Sequence, residues 1–118
     1  MPGGGAVVQI TDSTVSGNTA ALDGGGIFTQ GSGSSVSIAR SILSGNTAGR
    51  HGGGISVGSG SGLYPGLLSL QDSTISDNTA TSGGGIYAEP ASLVNITLTG
   101  TNTFTNNIPE NCIGVAGC

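Results

Sequence analysis

The chain is 118 residues long with 24 glycines, four prolines, 7% charged residues, 3% aromatics and a formal net charge of −4. Disorder couples low hydrophobicity to high charge and collagen needs glycine at every third position with abundant proline, whereas this chain is 35% hydrophobic and its glycines cluster in triplets. Nucleic-acid binding needs many basic side chains, and Arg40 and Arg50 are the only ones here.

Met1 to Gly5 has neither the charged nor the apolar region of a signal peptide, and no run approaches the roughly 18 to 20 apolar residues that span a bilayer. A single soluble domain over 1–118 is expected. The first coil, residues 6–35, opens on Val8 and Ile10, continues through STVSGNTA (13–20) and reaches Gly24-Gly25-Gly26-Ile27. The second, 36–66, repeats the order with Val36 and Ile38, SILSGNTA (41–48) and Gly52-Gly53-Gly54-Ile55. The third, 67–92, has Leu68 and Leu70, STISDNTA (73–80) and Gly83-Gly84-Gly85-Ile86. The fourth, 93–111, has Ile96 and Leu98 and the weaker copy NTFTNNIP (102–109), then runs without a triplet into a cap, 112–118, that holds Cys112 and Cys118. Taking the shared asparagine as origin, Asn18, Asn46, Asn78 and Asn107 recur at intervals of 28, 32 and 29 residues.

Aligned copies place apolar residues in columns: Val8, Val36, Leu68, Ile96; Ile10, Ile38, Leu70, Leu98; Val15, Leu43, Ile75, Phe104; and Ile27, Ile55, Ile86. The first two columns lie two residues apart, as a strand with one face inward requires, and no window has a helical period. A unit with three short strand-like runs cannot close a core alone, so its columns stack on neighbouring units. Strands that follow one another without a return hairpin pair in parallel, and crossovers between parallel strands are right-handed by strong default. The predicted fold is an all-β, right-handed parallel β-helix of about three to four coils, each advancing about 4.8 Å.

The pattern of an aliphatic residue, two small residues, Asn, Thr-Ala, a spacer and Gly-Gly-Gly-Ile resembles the β-helix repeats of bacterial secreted and surface proteins. In particular it resembles the polymorphic outer membrane protein repeat, an autotransporter passenger motif in which FxxN alternates with GGA plus an aliphatic residue. Phe104-Thr105-Asn106-Asn107 gives the literal FxxN, with Val15, Leu43 or Ile75 replacing Phe elsewhere, and Gly26, Gly54 and Gly85 stand at the alanine position. The resemblance implies an extracellular or cell-surface bacterial module, with a structural or adhesive role.

Identical asparagines in successive coils can hydrogen-bond as an amide ladder, the reading preferred for Asn18, Asn46, Asn78 and Asn107. The triplets Gly24 to Gly26, Gly52 to Gly54 and Gly83 to Gly85 lack the helix and Lys-Ser/Thr of a phosphate loop. They are expected to serve tight corners and close coil-to-coil approach. Asp12, Arg40 and Asp72 share one position, with the arginine expected between two carboxylates. Asp23, His51 and Ser82 share another whose residue types echo a catalytic triad, yet a stacked column has no oxyanion hole and does not surround a substrate. Cys112 and Cys118 are close enough in sequence for a terminal disulfide and too few for a zinc site. No catalytic residue, metal or cofactor is expected.

Polysaccharide-cleaving β-helices use carboxylates about 5 to 10 Å apart. Asp12 and Asp72 would meet that spacing, but no cleft-forming loop or tryptophan accompanies them, which makes this the weakest reading. Rows of Ser16, Ser44, Ser76, Thr105 and of Thr14, Thr74, Thr103 interrupted by Ile42 support an ice-binding or self-assembling alternative. The stretch between triplet and next strand is longest at 58–66, where Tyr64 is the candidate contact residue, since loops on rigid scaffolds carry recognition. Expected partners are neighbouring coils or a second copy at the open ends, and a host-surface or glycan ligand. The edge from Val7 to Ile10 shows no polar cap of the kind solenoids need.

Overall fold

The computed structural model describes residues 7–29, 35–58, 66–89, 94–115 and Cys118. The first coil carries β1 (Val7–Thr11), β2 (Thr14–Ser16), β3 (Thr19–Ala20) and β4 (Ile27–Thr29). The second carries β5 (Ser35–Ala39), β6 (Ile42–Ser44), β7 (Thr47–Ala48) and β8 (Ile55–Gly58). The third carries β9 (Gly66–Gln71), β10 (Thr74–Ser76) and β11 (Ile86–Glu89), and the fourth β12 (Val94–Thr99), β13 (Thr103–Thr105) and β14 (Cys112–Ile113). All pairing between strands is parallel, one coil to the next, in sheets ordered β1-β5-β9-β12, β2-β6-β10-β13 and β4-β8-β11-β14. The short pair β3-β7 is extended by single bridges from Thr47 to Thr79 and from Thr79 to Ile108. The chain is a parallel β-solenoid, as the repeat predicts.

The register reproduces the apolar columns residue by residue, from Val8–Val36–Leu68–Ile96 to Val15–Leu43–Ile75–Phe104. Inner-coil members such as Val36, Leu43, Ile55, Leu70 and Ile75 are fully buried, each worth about 1.5 to 3 kcal/mol, whereas Val8, Ile10 and Val15 at one end and Ile96, Leu98 and Phe104 at the other are half-buried. β-Branched residues dominate because their stiff side chains suit a pleated, stacked surface.

Corners are cut by left-handed backbone. One corner uses Asp12, Arg40, Asp72 and Gly100, with φ of 51, 48, 49 and 68°. The next uses Gly17, Gly45, Asp77 and Asn106, at 67, 64, 54 and 56°. Gly, Asn and Asp are the residues that tolerate this region, and Arg40 is the exception.

The fourth coil is shortened. Ile27 follows Asn18 by nine residues, but Cys112 follows Asn107 by only five and still enters the Ile27–Ile55–Ile86 column opposite Ile86. Side chains replace the missing backbone. In the first two coils the N–H of Gly24 donates to His51 O and that of Gly52 to Ser82 O, whereas the N–H of Gly83 donates to the Glu110 carboxylate.

Cys112, packed against the core, is joined to Cys118 with Cα atoms 6.1 Å apart. Closing so short a loop is worth about 2 kcal/mol by chain entropy. Reduction, or Cys118→Ser, should therefore lower the thermal midpoint measured by circular dichroism, and the serine variant should be insensitive to reductant.

Candidate functional site

The asparagine column is internal and directional. Asn18 N and Nδ2 donate to Asn46 Oδ1 at 3.0 and 3.1 Å, Asn46 N and Nδ2 to Asn78 Oδ1 at 2.9 and 3.0 Å, and Asn78 N and Nδ2 to Asn107 Oδ1 at 3.0 and 2.9 Å. The second amide proton reaches back to a strand carbonyl: Asn46 to Val15, Asn78 to Leu43 and Asn107 to Ile75. Asn46 and Asn78 are fully buried, so their satisfied polarity is what makes that burial tolerable. Such side chains have no face for a ligand.

A second ladder escaped the sequence reading. Ser13 N donates to Ser41 Oγ, Ser41 N to Ser73 Oγ and Ser73 N to Asn102 Oδ1, at 3.1, 3.2 and 3.0 Å. Each serine Oγ donates in turn to the carbonyl two residues earlier. The signal was the first letter of each repeat, Ser, Ser, Ser and Asn, read only as part of a motif.

The triplets divide their work. Gly24, Gly52 and Gly83 hold φ of 68, 66 and 61°. At Gly53 a Cβ would lie 2.4 Å from Gly84 O, and at Gly54 it would lie 2.6 Å from Gly85 O and 3.2 Å from Asn78 Nδ2. That crowding explains why this chain has glycine at Gly26, Gly54 and Gly85, where the resembled repeat has alanine.

The charged columns differ from expectation. Among the described residues Arg40 forms its ion pair with Asp12, Nε to Oδ1 at 2.7 Å and Nη2 to Oδ2 at 3.2 Å. Asp72 Oδ1 instead accepts the Thr101 N–H at 2.8 Å, because the backbone of the fourth coil turns there at Gly100. The arginine is therefore hydrogen-bonded to one carboxylate, Asp12, while Asp72 attracts it only through space.

Asp23, His51 and Ser82 are aligned by single bridges, and His51 Nδ1 lies 3.2 Å from Asp23 Oδ1. The imidazole stacks on Tyr87, with centroids 4.0 Å apart and planes 8° from parallel, and makes no hydrogen bond to Ser82 among the described residues. A triad needs that bond.

What gathers here is an exposed corner of aromatic and charged side chains. Arg50 clamps Asp23 with Nε to Oδ1 at 2.9 Å and Nη2 to Oδ2 at 2.7 Å. Beside the pair, Phe28 and Leu22 are 47% and 59% exposed, and Ala21, Leu22, Asp23, Phe28 and Arg50 line an open groove of about 470 Å³. Phe28, Ser56 and Tyr87 follow one another along the sheet, with Ser56 buried between the two rings. One corner thus collects two of the four aromatic residues, one of two arginines and the lone histidine. The sequence concealed it because Ser56 interrupts the row shared by Phe28 and Tyr87, and Arg50 aligns with Leu22 and Thr81. Tyr64, the contact residue expected from sequence, lies outside the described residues.

Arg50 holds the Asp23 carboxyl below its ordinary range through the paired hydrogen bonds, and Arg40 does the same for Asp12. A carboxylate whose folded pKa is depressed adds stability that is complete above its unfolded value near 4 and disappears as pH falls through the folded one. The melting midpoint should accordingly fall on acidification below about pH 4, and Asp23→Asn should flatten that slope in pH-resolved melts.

The family model of the Chlamydia polymorphic membrane protein repeat matches residues 12–30 and 72–89. These segments run from the left-handed corner residue, through the asparagine and the glycine triplet, into or through the following strand. Comparisons with curated proteins and with solved structures give no match. The chain is therefore a parallel β-solenoid, of about three turns, in which two segments match the Chlamydia polymorphic membrane protein repeat.

Proposed function

We propose that the chain is a non-catalytic structural and adhesive module of a secreted or surface-exposed bacterial protein, and that it holds a surface glycan at the corner built by Leu22, Asp23, Phe28, Arg50, His51 and Tyr87. The repeat match supports the surface role. The observation that carries the adhesive reading is the convergence of scarce aromatic and arginine side chains on one exposed corner of a rigid stack. An aromatic face beside a fixed arginine–carboxylate pair offers a sugar ring both apolar contact and directional hydrogen bonds. Anchors of this kind dominate contact energies. Labelled chain should bind glycan arrays or host cells, and Phe28→Ala or Arg50→Ala should weaken binding about tenfold or more with the circular dichroism spectrum unchanged. Binding that is absent, or indifferent to both substitutions, overturns the reading.

A second reading rests on the β2-β6-β10-β13 sheet, where Ser16, Ser44, Ser76 and Thr105 are in strict register and Thr14, Ile42, Thr74 and Thr103 form the neighbouring row. Such a regular hydroxyl grid suits an ordered water lattice, though Ile42 is 44% exposed and breaks it. Thermal hysteresis in dilute solution would establish ice binding, and its absence would remove that alternative.

A further inference from the structure

We infer, resting on the reading of the Phe28–Arg50 corner as the adhesive site, that its ligand carries a carboxylate, as a terminal acidic sugar does, and that this group docks on the outer edge of the Arg50 guanidinium. A guanidinium presents paired N–H groups along two edges, a side edge of Nε and Nη2 and an end edge of Nη1 and Nη2. Asp23 occupies the side edge, with Nε to Oδ1 at 2.9 Å and Nη2 to Oδ2 at 2.7 Å. Among the described residues no acceptor meets the end edge, and the Arg50 side chain is 53% exposed.

That edge is held at both ends of the side chain. The Arg50 N–H donates to Leu22 O at 2.7 Å, and the N–H groups of Thr81 and Ser82 donate to Arg50 O at 3.0 Å, so its backbone is pinned to the coils before and after. The head is fixed by Asp23, whose side chain is only 16% exposed and is backed by His51 Nδ1 at 3.2 Å. Because Arg50 holds the Asp23 carboxyl below its ordinary range, the clamp persists at neutral pH. A cation fixed before the ligand arrives loses little side-chain freedom on binding.

The groove beside it calls for an acceptor. Among the described residues its lining side chains are Ala21, Leu22, Asp23, Phe28 and Arg50, and Asp23, the one acceptor in that set, already takes a hydrogen bond on each oxygen. A neutral sugar brings hydroxyls that donate as well as accept, and these side chains offer its protons no taker. An ionised carboxylate only accepts, and its two oxygens match a coplanar pair of N–H groups. Leu22 and Phe28, both well exposed, stand ready to take the carbon face of the ring that bears it. Arg40 supplies the contrast: it clamps Asp12 through the same two nitrogens but takes no part in the groove.

The test measures binding of the intact chain at neutral pH to sialyllactose, to a disaccharide ending in glucuronic acid, to the methyl amide of each, and to lactose and sulfated lactose. At least one acid sugar is expected to bind about tenfold or more tighter than its own amide. Arg50→Lys keeps the charge and loses the planar fork, and is expected to erase most of that preference. Arg40→Lys is expected to leave it unchanged, and both variants to keep the parent's circular dichroism melt. Acid and amide bound equally, or binding confined to neutral members of a glycan array, would overturn the inference while sparing the corner as a glycan site. A preference that survives in Arg50→Lys, or tighter binding of sulfated lactose than of either acid, would show that charge alone attracts the ligand and overturn it too. A chain that binds neither these probes nor the array removes both the inference and the reading it rests on.

Discussion

Asn78→Ala is expected to destabilise the chain by about 4 kcal/mol, the largest single-residue effect in the molecule. Asn78 is fully buried and its side chain makes four hydrogen bonds: Oδ1 accepts from Asn46 N and Nδ2, and Nδ2 donates to Asn107 Oδ1 and Leu43 O. Truncation leaves two donors on Asn46 and the Leu43 carbonyl without partners in a region closed to water. Each such orphan costs about 1 to 3 kcal/mol, and the void adds to this. Against a total stability of about 5 to 15 kcal/mol, the variant should be mostly or partly unfolded well below the parent's midpoint in urea titration. Asn78→Asp separates the contributions, since it retains an acceptor and loses both donors. It should also be severely destabilised, and more so at neutral pH, where an unpaired buried carboxylate must ionise or shift. Asn18→Ala at the exposed end of the same ladder should cost far less, because water satisfies what it leaves behind.

Gly53→Ala is expected to cost about 3 kcal/mol or more, although alanine is a better residue than glycine almost everywhere else. The added Cβ would lie 2.4 Å from Gly84 O and 2.5 Å from Thr79 O, both backbone atoms of the next coil. Neither can swing aside. Relief requires the second and third coils to part, which weakens the hydrogen bonds from Gly53 N to Gly83 O and from Gly54 N to Gly84 O. Gly17→Ala supplies the contrast: nothing lies within 4 Å of its Cβ, and only the φ of +67° opposes it. That costs about 1 kcal/mol. Gly17→Asn should be nearly neutral, because Asn106 and Asp77 already occupy the same corner at φ of 56 and 54°. Comparing the denaturation midpoints of these three variants distinguishes close approach from backbone conformation as the reason for glycine.

Fold and register were legible because one kind of information repeats every coil. Val36, Leu68 and Ile96 are interchangeable inward residues, and their recurrence beside Asn46, Asn78 and Asn107 fixes which strand pairs with which. The corners were less visible. Asp12, Arg40, Asp72 and Gly100 share a left-handed backbone but little chemistry, and so suggested an ion ladder where the common cause is φ. The fourth coil was harder still, since Glu110 and Asn111 perform with side chains what backbone does elsewhere. Cys112 therefore takes an isoleucine's place without any glycine triplet to announce it. Of the surface corner of Phe28, Arg50, His51 and Tyr87, only the column of Asp23 and His51 was legible. Phe28 and Tyr87 share a repeat position that Ser56 interrupts, and Arg50 aligns with Leu22 and Thr81, so recurrence did not mark these side chains.

The most direct measurement of the account is hydrogen exchange of the asparagine side-chain amides, followed by ¹⁵N-resolved NMR on the intact chain. The stack held by a buried, directional ladder predicts that the NH₂ groups of Asn46, Asn78 and Asn107 exchange slower by roughly two orders of magnitude or more than those of Asn95 and Asn106, which are exposed, with Asn18 between the two groups. Uniformly fast exchange across all six would contradict the ladder, and with it the parallel register that the ladder holds in place.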